Sequence, residues 1–196
     1  MLRAMGALDR APHIVLEDRA EWRRWLEENH AIATGVWLVG WRPSAGRGGV
    51  TYEESVEEAL CFGWIDGQVA GVDEQRSRQY FAPRRPDSPW SGSNKERVER
   101  LTRAGLMAPA GLAAVERAKT DGSWSVLDAA NRLELPADLV AALDARPPAR
   151  ANWDAFPPSA RRQMLGWIAL AKRDDTRAGR IEKVAEAAQR NERRIG

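Results

Sequence analysis

Residues 59–72 read ALCFGWIDGQVAGV, and the way this stretch divides decides the fold. Upstream, Thr51-x-x-Glu54 has the form of a capping box, in which hydroxyl and carboxylate each accept from the other residue's backbone N–H at a helix start. Val56, Ala59 and Leu60 then fall at helical spacing on one inward face. Gly63 is the residue type that closes helices, so CFG ends this one. WIDGQVAGV reads as a strand with Trp64, Asp66 and Gln68 on one face and Ile65 and Val69 on the other. A turn at Asp73-Glu74 leads to RSRQYFAPRR, a partner strand ending at Pro83. A helix running into an antiparallel hairpin predicts an α+β fold with a small antiparallel sheet and flanking helices.

Working outward, residues 1–13 read as a frayed leader, and Asp18-x-x-Glu21 opens a helix with Trp22, Trp25 and Leu26 on one stripe. TGVWLVGW reads as a buried strand and RPSAGRGG (42–49) as a loop. Ser93-x-x-Glu96 is a third cap, with Val98 and Leu101 facing inward. Pro109 suits the first turn of a helix anchored by Leu112 and Val115. From about residue 124 the pattern is helical: Leu139 and Leu143 mark a short helix, and RPPARANW (146–153) reads as a linker. Ser159 caps a helix with Met164, Trp167, Ile168 and Ala171, and a last helix spans about 176–191. The expected division is an α+β domain over 14–120 and a helical C-terminal segment over 121–196 with an amphipathic helix pair.

With 43% apolar and 30% charged residues, the chain has the composition of a soluble globular protein, not a disordered one. A net charge of +2 sets up no global field demanding nucleic acid or membrane. One cysteine permits no intramolecular disulfide, which suits a reducing compartment. No apolar run approaches bilayer length and no signal-peptide core is visible, so the expectation is a cytoplasmic protein without membrane insertion.

No cofactor or metal is expected. His13 and His30 are scattered and Cys61 has no C-x-x-C partner, so it reads as a buried structural thiol. The glycines of AGRGGV lack the lysine and hydroxyl of a phosphate loop. Two places carry more chemistry. Asp66, beside Trp64 on a strand face, needs a partner if buried; Arg78 and Arg84 on the next strand offer an ion pair, against the sharper reading of a polar group in a Trp-walled pocket. In FAPRRPDSPWSGSNKE (81–96), Arg84 and Arg85 precede a proline-stiffened loop and a helix start bearing Ser91, Ser93 and Asn94. Trp90 stands ready to wall what reads as either an anion site or an ordinary capped helix. The ligand set at this stage is Trp64, Asp66, Arg84, Arg85, Trp90, Ser91 and Asn94, with no catalytic residue assigned. Arg161, Arg162, Lys172, Arg173, Arg177, Arg180 and Lys183 crowd the last two helices, either as a phosphate-contacting stripe or as a wet face.

EWRRWLEENH, TYEESVEEALCFGWIDG, FAPRRPDSPWSGSNKERVERL and PPSARRQMLGWIALAKRDDTRAGRI together resemble the YdeI/OmpD-associated, or bacteriocin-protection, family over about residues 17–190. The resemblance implies a YjbR/CyaY-like N-terminal fold and, through the family name, a link to bacteriocin protection and an outer-membrane porin. It brings no catalytic residues. The expected function is a non-enzymatic cytoplasmic binding protein with a stress or bacteriocin-protection role and a small anionic ligand. A protein partner or homodimer stays open, as do two rivals: a nucleic-acid binder using the basic C-terminal helices, and a small-molecule enzyme with a pocket around Asp66.

Overall fold

A computed structural model describes residues 10–195. The chain divides into two compact units, one made of Met1–Ser88 with Ser93–Asp121 and the other of Pro89–Gly92 with Gly122–Gly196. The fold is α+β, with a four-stranded mixed sheet and helices in the N-terminal part, followed by an all-helical C-terminal segment.

The first unit runs β1 (His13–Val15), α1 (Arg19–Asn29), β2 (Val36–Trp41), α2 (Tyr52–Cys61), β3 (Trp64–Gly71), β4 (Arg76–Pro83), α3 (Gly92–Arg103) and α4 (Pro109–Asp121). Strand order is β1-β2-β4-β3, with β1 parallel to β2 and the other pairs antiparallel. The sheet is therefore mixed, because His13–Val15 pairs along β2; of the leader expected over 1–13, His13 is a strand residue and residues 1–9 lie outside the described residues. Three residues are too few to leave a periodic signature.

α2 forms where its capping box lies: Thr51 accepts from the Glu54 N–H, and the Glu54 carboxylate accepts from the Thr51 N–H at 2.9 Å. At α1 the arrangement differs by one residue. Asp18 caps by accepting from the Glu21 N–H, but the Glu21 carboxylate reaches back to the N–H of Glu17. Gly63 takes φ +75°, the left-handed conformation that turns the chain out of α2 into β3. At Gly111 the constraint is space: a Cβ there would lie 2.2 Å from the Cys61 carbonyl, so only glycine lets α4 approach α2 so closely. α3 begins at Gly92, ahead of the expected cap Ser93. On α4, Gly111, Ala114, Val115 and Ala118 are buried, whereas the expected anchor Leu112 faces solvent.

A β-bulge reorganises the hairpin. Asp66 pairs with Phe81 and Val69 pairs with Gln79, so Gly67 and Gln68 together oppose a single residue. The extra residue puts Val69 on the same face as Asp66, the reverse of simple alternation. That face also carries Val36, Leu38 and Gly40 of β2 opposite Phe81, Gln79 and Ser77. α1 covers one end of it: the Trp22 ring lies 5.3 Å from Phe81 and the Trp25 ring meets Trp64 edge-on at 5.8 Å. The Trp22 indole N–H donates to the Ser55 carbonyl, tying α1 to α2.

Three helices of this unit are also joined by charge. Glu57 and Glu58 of α2 are buried side by side. Glu58 accepts from Arg19 (2.6 Å) and Arg23 (2.8 Å) of α1; Glu57 pairs with Arg19 (2.9 Å) and with Arg100 of α3 (2.5 Å); Glu53 pairs with Arg97 of α3 (2.6 Å).

The second unit contains α5 (Asp128–Asn131), α6 (Ala137–Asp144), α7 (Ala149–Ala155), α8 (Pro158–Ala169) and α9 (Asp174–Gln189). Its core joins Leu139, Leu143, Trp153, Phe156, Met164, Ile168, Val184 and Ala188, with Trp167 partly buried at the edge. The stretch 146–153 is not a linker. It passes into α7, whose Ala149 and Trp153, one helical turn apart, are both fully buried. α8 starts at Pro158, before the expected cap Ser159, using proline's fixed φ in the first turn. The N-terminal piece of this unit is held by Trp90, whose N–H donates to the Ser123 carbonyl at 3.2 Å and whose ring lies 5.0 Å from Trp124.

Candidate functional site

Beyond the reach of α1, the helix-side face of the sheet is open, and there it forms a cleft of about 460 Å³ within the first unit. Leu38 and Gly40 of β2, Ser77 and Gln79 of β4, and Val69 of β3 line it. The segment Arg47–Tyr52 forms its wall as the chain enters α2. The bulge matters here, since it brings Val69 to the cleft.

The wall is glycine-rich because the chain must turn twice between β2 and α2. Pro43–Ala45 makes one 3-10 turn that ends at Gly46 in the left-handed region. The backbone N–H groups of Arg47, Gly48, Gly49 and Val50 donate to no protein acceptor among the described residues. A Cβ at Gly48 would meet nothing within 4 Å, so this segment borders open space. The Arg47 guanidinium lies 4.5 Å from the centre of the Trp41 ring and makes no ion pair among the described residues. Backbone amides without acceptors beside a guanidinium offer the donors and positive charge that an anion would accept. In the sequence, AGRGGV lacks the lysine and hydroxyl of a phosphate loop and so reads as no site. The available signal was the glycine spacing around Arg47 between a strand and a capping box.

Tyr52 closes the other end of that wall. It is the first residue of α2, the residue is 56% exposed, and its hydroxyl donates to Asp66 Oδ2 at 2.9 Å. Burial first, then the hydrogen bond to Asp66, pushes the phenol pKa above its ordinary value, so the hydroxyl stays a donor at neutral pH. Asp66 therefore has a tyrosine for a partner rather than an arginine across the hairpin. It lies opposite Phe81, on the face away from Arg78 and Tyr80. Arg78 is engaged on that other face, its guanidinium 4.4 Å from the Trp37 ring centre and its Nη1 donating to His13 Nε2 at 2.6 Å.

The remaining expected site residues scatter. Trp64 is buried, and its indole N–H donates to the His30 carbonyl at 3.2 Å. Arg84 is also buried. Its backbone N–H donates to the Gly63 carbonyl and its Nη2 to the Ser88 carbonyl, and burial pushes its guanidinium down to about 10 while Asp66 pulls the other way. Arg85 is exposed. Asn94 accepts from Arg97 Nη1 at 3.0 Å. Trp90 and Ser91 belong to the second unit, whereas Arg84, Arg85 and Asn94 belong to the first.

Cys61 is fully buried, and burial, helped by the charge of Glu58, pushes its thiol up to about 11. Among the described residues no group of three or more His, Cys, Asp or Glu side chains is placed to hold a metal, and no helix is long and apolar enough to cross a membrane. The basic residues of the last two helices are partly tied to other groups. Arg177 forks onto Asp138 at 3.0 Å, Arg173 pairs with Asp175 at 3.2 Å, and Arg180 donates to the Trp167 carbonyl.

Comparison with known proteins gives two matches. Residues 14–114 match the family described as Domain of unknown function (DUF8412), and residues 132–191 match the family described as Bacteriocin-protection, YdeI or OmpD-Associated. No curated protein and no solved structure matches the chain. The YdeI/OmpD-associated likeness, expected over 17–190, is thus located in the C-terminal helices, and the N-terminal match carries no YjbR/CyaY-like description. With just over half of its length matched, the chain belongs to the family of that N-terminal domain of unknown function, and its second unit carries a bacteriocin-protection, YdeI or OmpD-associated domain.

Proposed function

We propose that the first unit is a non-enzymatic binding module for a small anionic ligand, held in the cleft between the sheet and the Arg47–Tyr52 wall. One observation carries the reading: four consecutive residues of the cleft wall have backbone amides without acceptors among the described residues, and Arg47 is one of the four. The amides supply directional donors and the arginine adds charge, while Leu38, Val50 and Val69 supply apolar surface for the rest of the ligand. A bacteriocin-protection role, exercised by holding such a ligand, draws support from the description of the C-terminal family, and a cytoplasmic location and a part in stress belong to the same proposal. The helix–strand–helix–hairpin order of the first unit supports kinship with the YjbR/CyaY-like fold as part of the same proposal.

The test is calorimetric titration of inorganic phosphate and pyrophosphate into wild type, Arg47→Ala and Arg85→Ala. Saturable binding that weakens about tenfold in Arg47→Ala, and is unchanged in Arg85→Ala, is the expected result. Weakening confined to Arg85→Ala would move the anion to the proline-stiffened loop after β4. Linear heats in all three proteins would remove the site.

A further inference from the structure

Tyr52 and Asp66 do something in the cleft that binding a bare anion does not require. Tyr52 lines the cleft and is 56% exposed as a residue, two positions beyond Val50, whose amide has no acceptor among the described residues. An exposed tyrosine on a helix's first turn ordinarily samples several rotamers. This one is tethered, because its hydroxyl donates at 2.9 Å to a carboxylate on β3. The carboxylate is held in turn by the strand, whose bulge follows directly after Asp66. A second exposed apolar side chain, Val69 at 67%, lines the same cleft. Two uncovered apolar groups on one concave surface, one of them a ring locked in orientation, form a platform for a flat partner.

The polar lining has a direction as well. Gln79 lies on the cleft floor, and its Nε2 donates to the Gly67 carbonyl at 2.9 Å. Its Oε1 is left to accept, which favours a ring that carries an amino group.

Resting on the anion-site reading above, we infer that the cleft takes a nucleotide, with the phosphate on the Arg47–Val50 amides, the base laid on the Tyr52 ring, and Asp66 as the residue that positions the ring. Base stacking on an aromatic side chain is sequence-tolerant and adds to phosphate affinity independently. The chemistry required is a planar ring and a phosphate in one small molecule, so a nucleoside monophosphate is the smallest complete probe.

The experiment titrates AMP, ribose 5-phosphate and inorganic phosphate into the full-length chain and into Tyr52→Leu, Asp66→Asn and Arg47→Ala, with far-UV circular dichroism and thermal melts on each variant. In wild type AMP should bind about tenfold tighter than ribose 5-phosphate, the increment expected of one stacked base. Tyr52→Leu should erase that ratio and leave ribose 5-phosphate binding unchanged. Asp66→Asn should reduce the ratio in part, again without touching phosphate binding, an outcome a merely structural Asp66 would not produce. Arg47→Ala should weaken all three ligands. Equal affinity for AMP and ribose 5-phosphate in wild type, with both still weakened by Arg47→Ala, would overturn the nucleotide inference and leave the anion site standing. Absence of saturable binding by any of the three would overturn both.

Discussion

Replacing Glu58 by glutamine removes the charge at the centre of the clasp that joins α1 to α2. The Glu58 side chain is 3% exposed and accepts from Arg19 at 2.6 Å and Arg23 at 2.8 Å. Breaking a buried ion pair from one side costs about 3–5 kcal/mol when the surviving charge stays buried. Here the survivors are better off. Arg19 and Arg23 are 36% and 30% exposed, and each keeps a second carboxylate, Glu57 at 2.9 Å and Glu27 at 3.2 Å. Water and those partners recover part of the loss, so the expected cost is about 2 kcal/mol, comparable to one charge-assisted hydrogen bond. A chain of two units does not license a single unfolding transition, so urea denaturation should be read through amide exchange of α1 and α2 rather than total fluorescence. A double-mutant cycle with Arg23→Ala isolates the pair and should return a coupling of about 1–2 kcal/mol. A Glu58→Gln loss under about 0.5 kcal/mol, with no coupling, would mean that the clasp behaves like an ordinary surface pair and does not hold the helices.

The other outcomes concern protons. Because burial raises the Cys61 thiol to about 11, iodoacetamide at pH 8 should leave native protein unmodified and label it fully in urea. A folded pKa above the unfolded one contributes stability that is intact below the ordinary thiol value and is lost as pH climbs toward about 11; rapid native labelling would contradict this. In acid, Glu53 is held below its ordinary pKa by its hydrogen bond from Arg97, and Glu54 by the backbone N–H of Thr51. Their contribution is present above the ordinary glutamate pKa and fades as pH falls through the depressed values. Thr51→Ala removes the capping hydroxyl but keeps the backbone N–H, so it should cost about 1 kcal/mol and flatten only the part of that acid limb owed to the hydroxyl bond to Glu54, as pH-dependent melts would record.

Local chemistry was legible in the sequence and long-range placement was not. The Thr51–Glu54 cap, the Gly63 stop and the strands on either side of Asp73-Glu74 all stand where the residues put them, because caps, turns and pleats are decided within a few neighbours. Asp66 is different. Pairing it with Arg78 assumed unbroken alternation, and a single bulged residue is enough to put that guanidinium and the carboxylate on opposite faces; of the two expected arginines, Arg84 is the one whose charge Asp66 influences. Its actual partner, Tyr52, lies 14 residues back on another element, a distance no local pattern reports. The Arg47–Val50 wall was hidden for the opposite reason. Loop composition tells that a segment turns, while the existence of a cleft depends on how far α1 reaches along the sheet. The seam at 146–153 looked like a linker because two prolines dominate it, and the buried Trp153 outweighs them.

The placement of Pro89–Gly92 in the second unit has a consequence for the order of events during synthesis. The first unit has all its segments once Asp121 has been made, but Trp90, completed 31 residues earlier, finds its ring partner only at Trp124. At about 5–20 residues per second, that indole waits roughly 2–7 s on a nascent chain whose surrounding segments already belong to another body. Any fragment ending at Asp121 lacks the Trp124 ring that lies 5.0 Å from Trp90, a residue that is 1% accessible in the finished protein. Neither matched family segment contains both Trp90 and Trp124, so a fragment cut at those boundaries divides this pair.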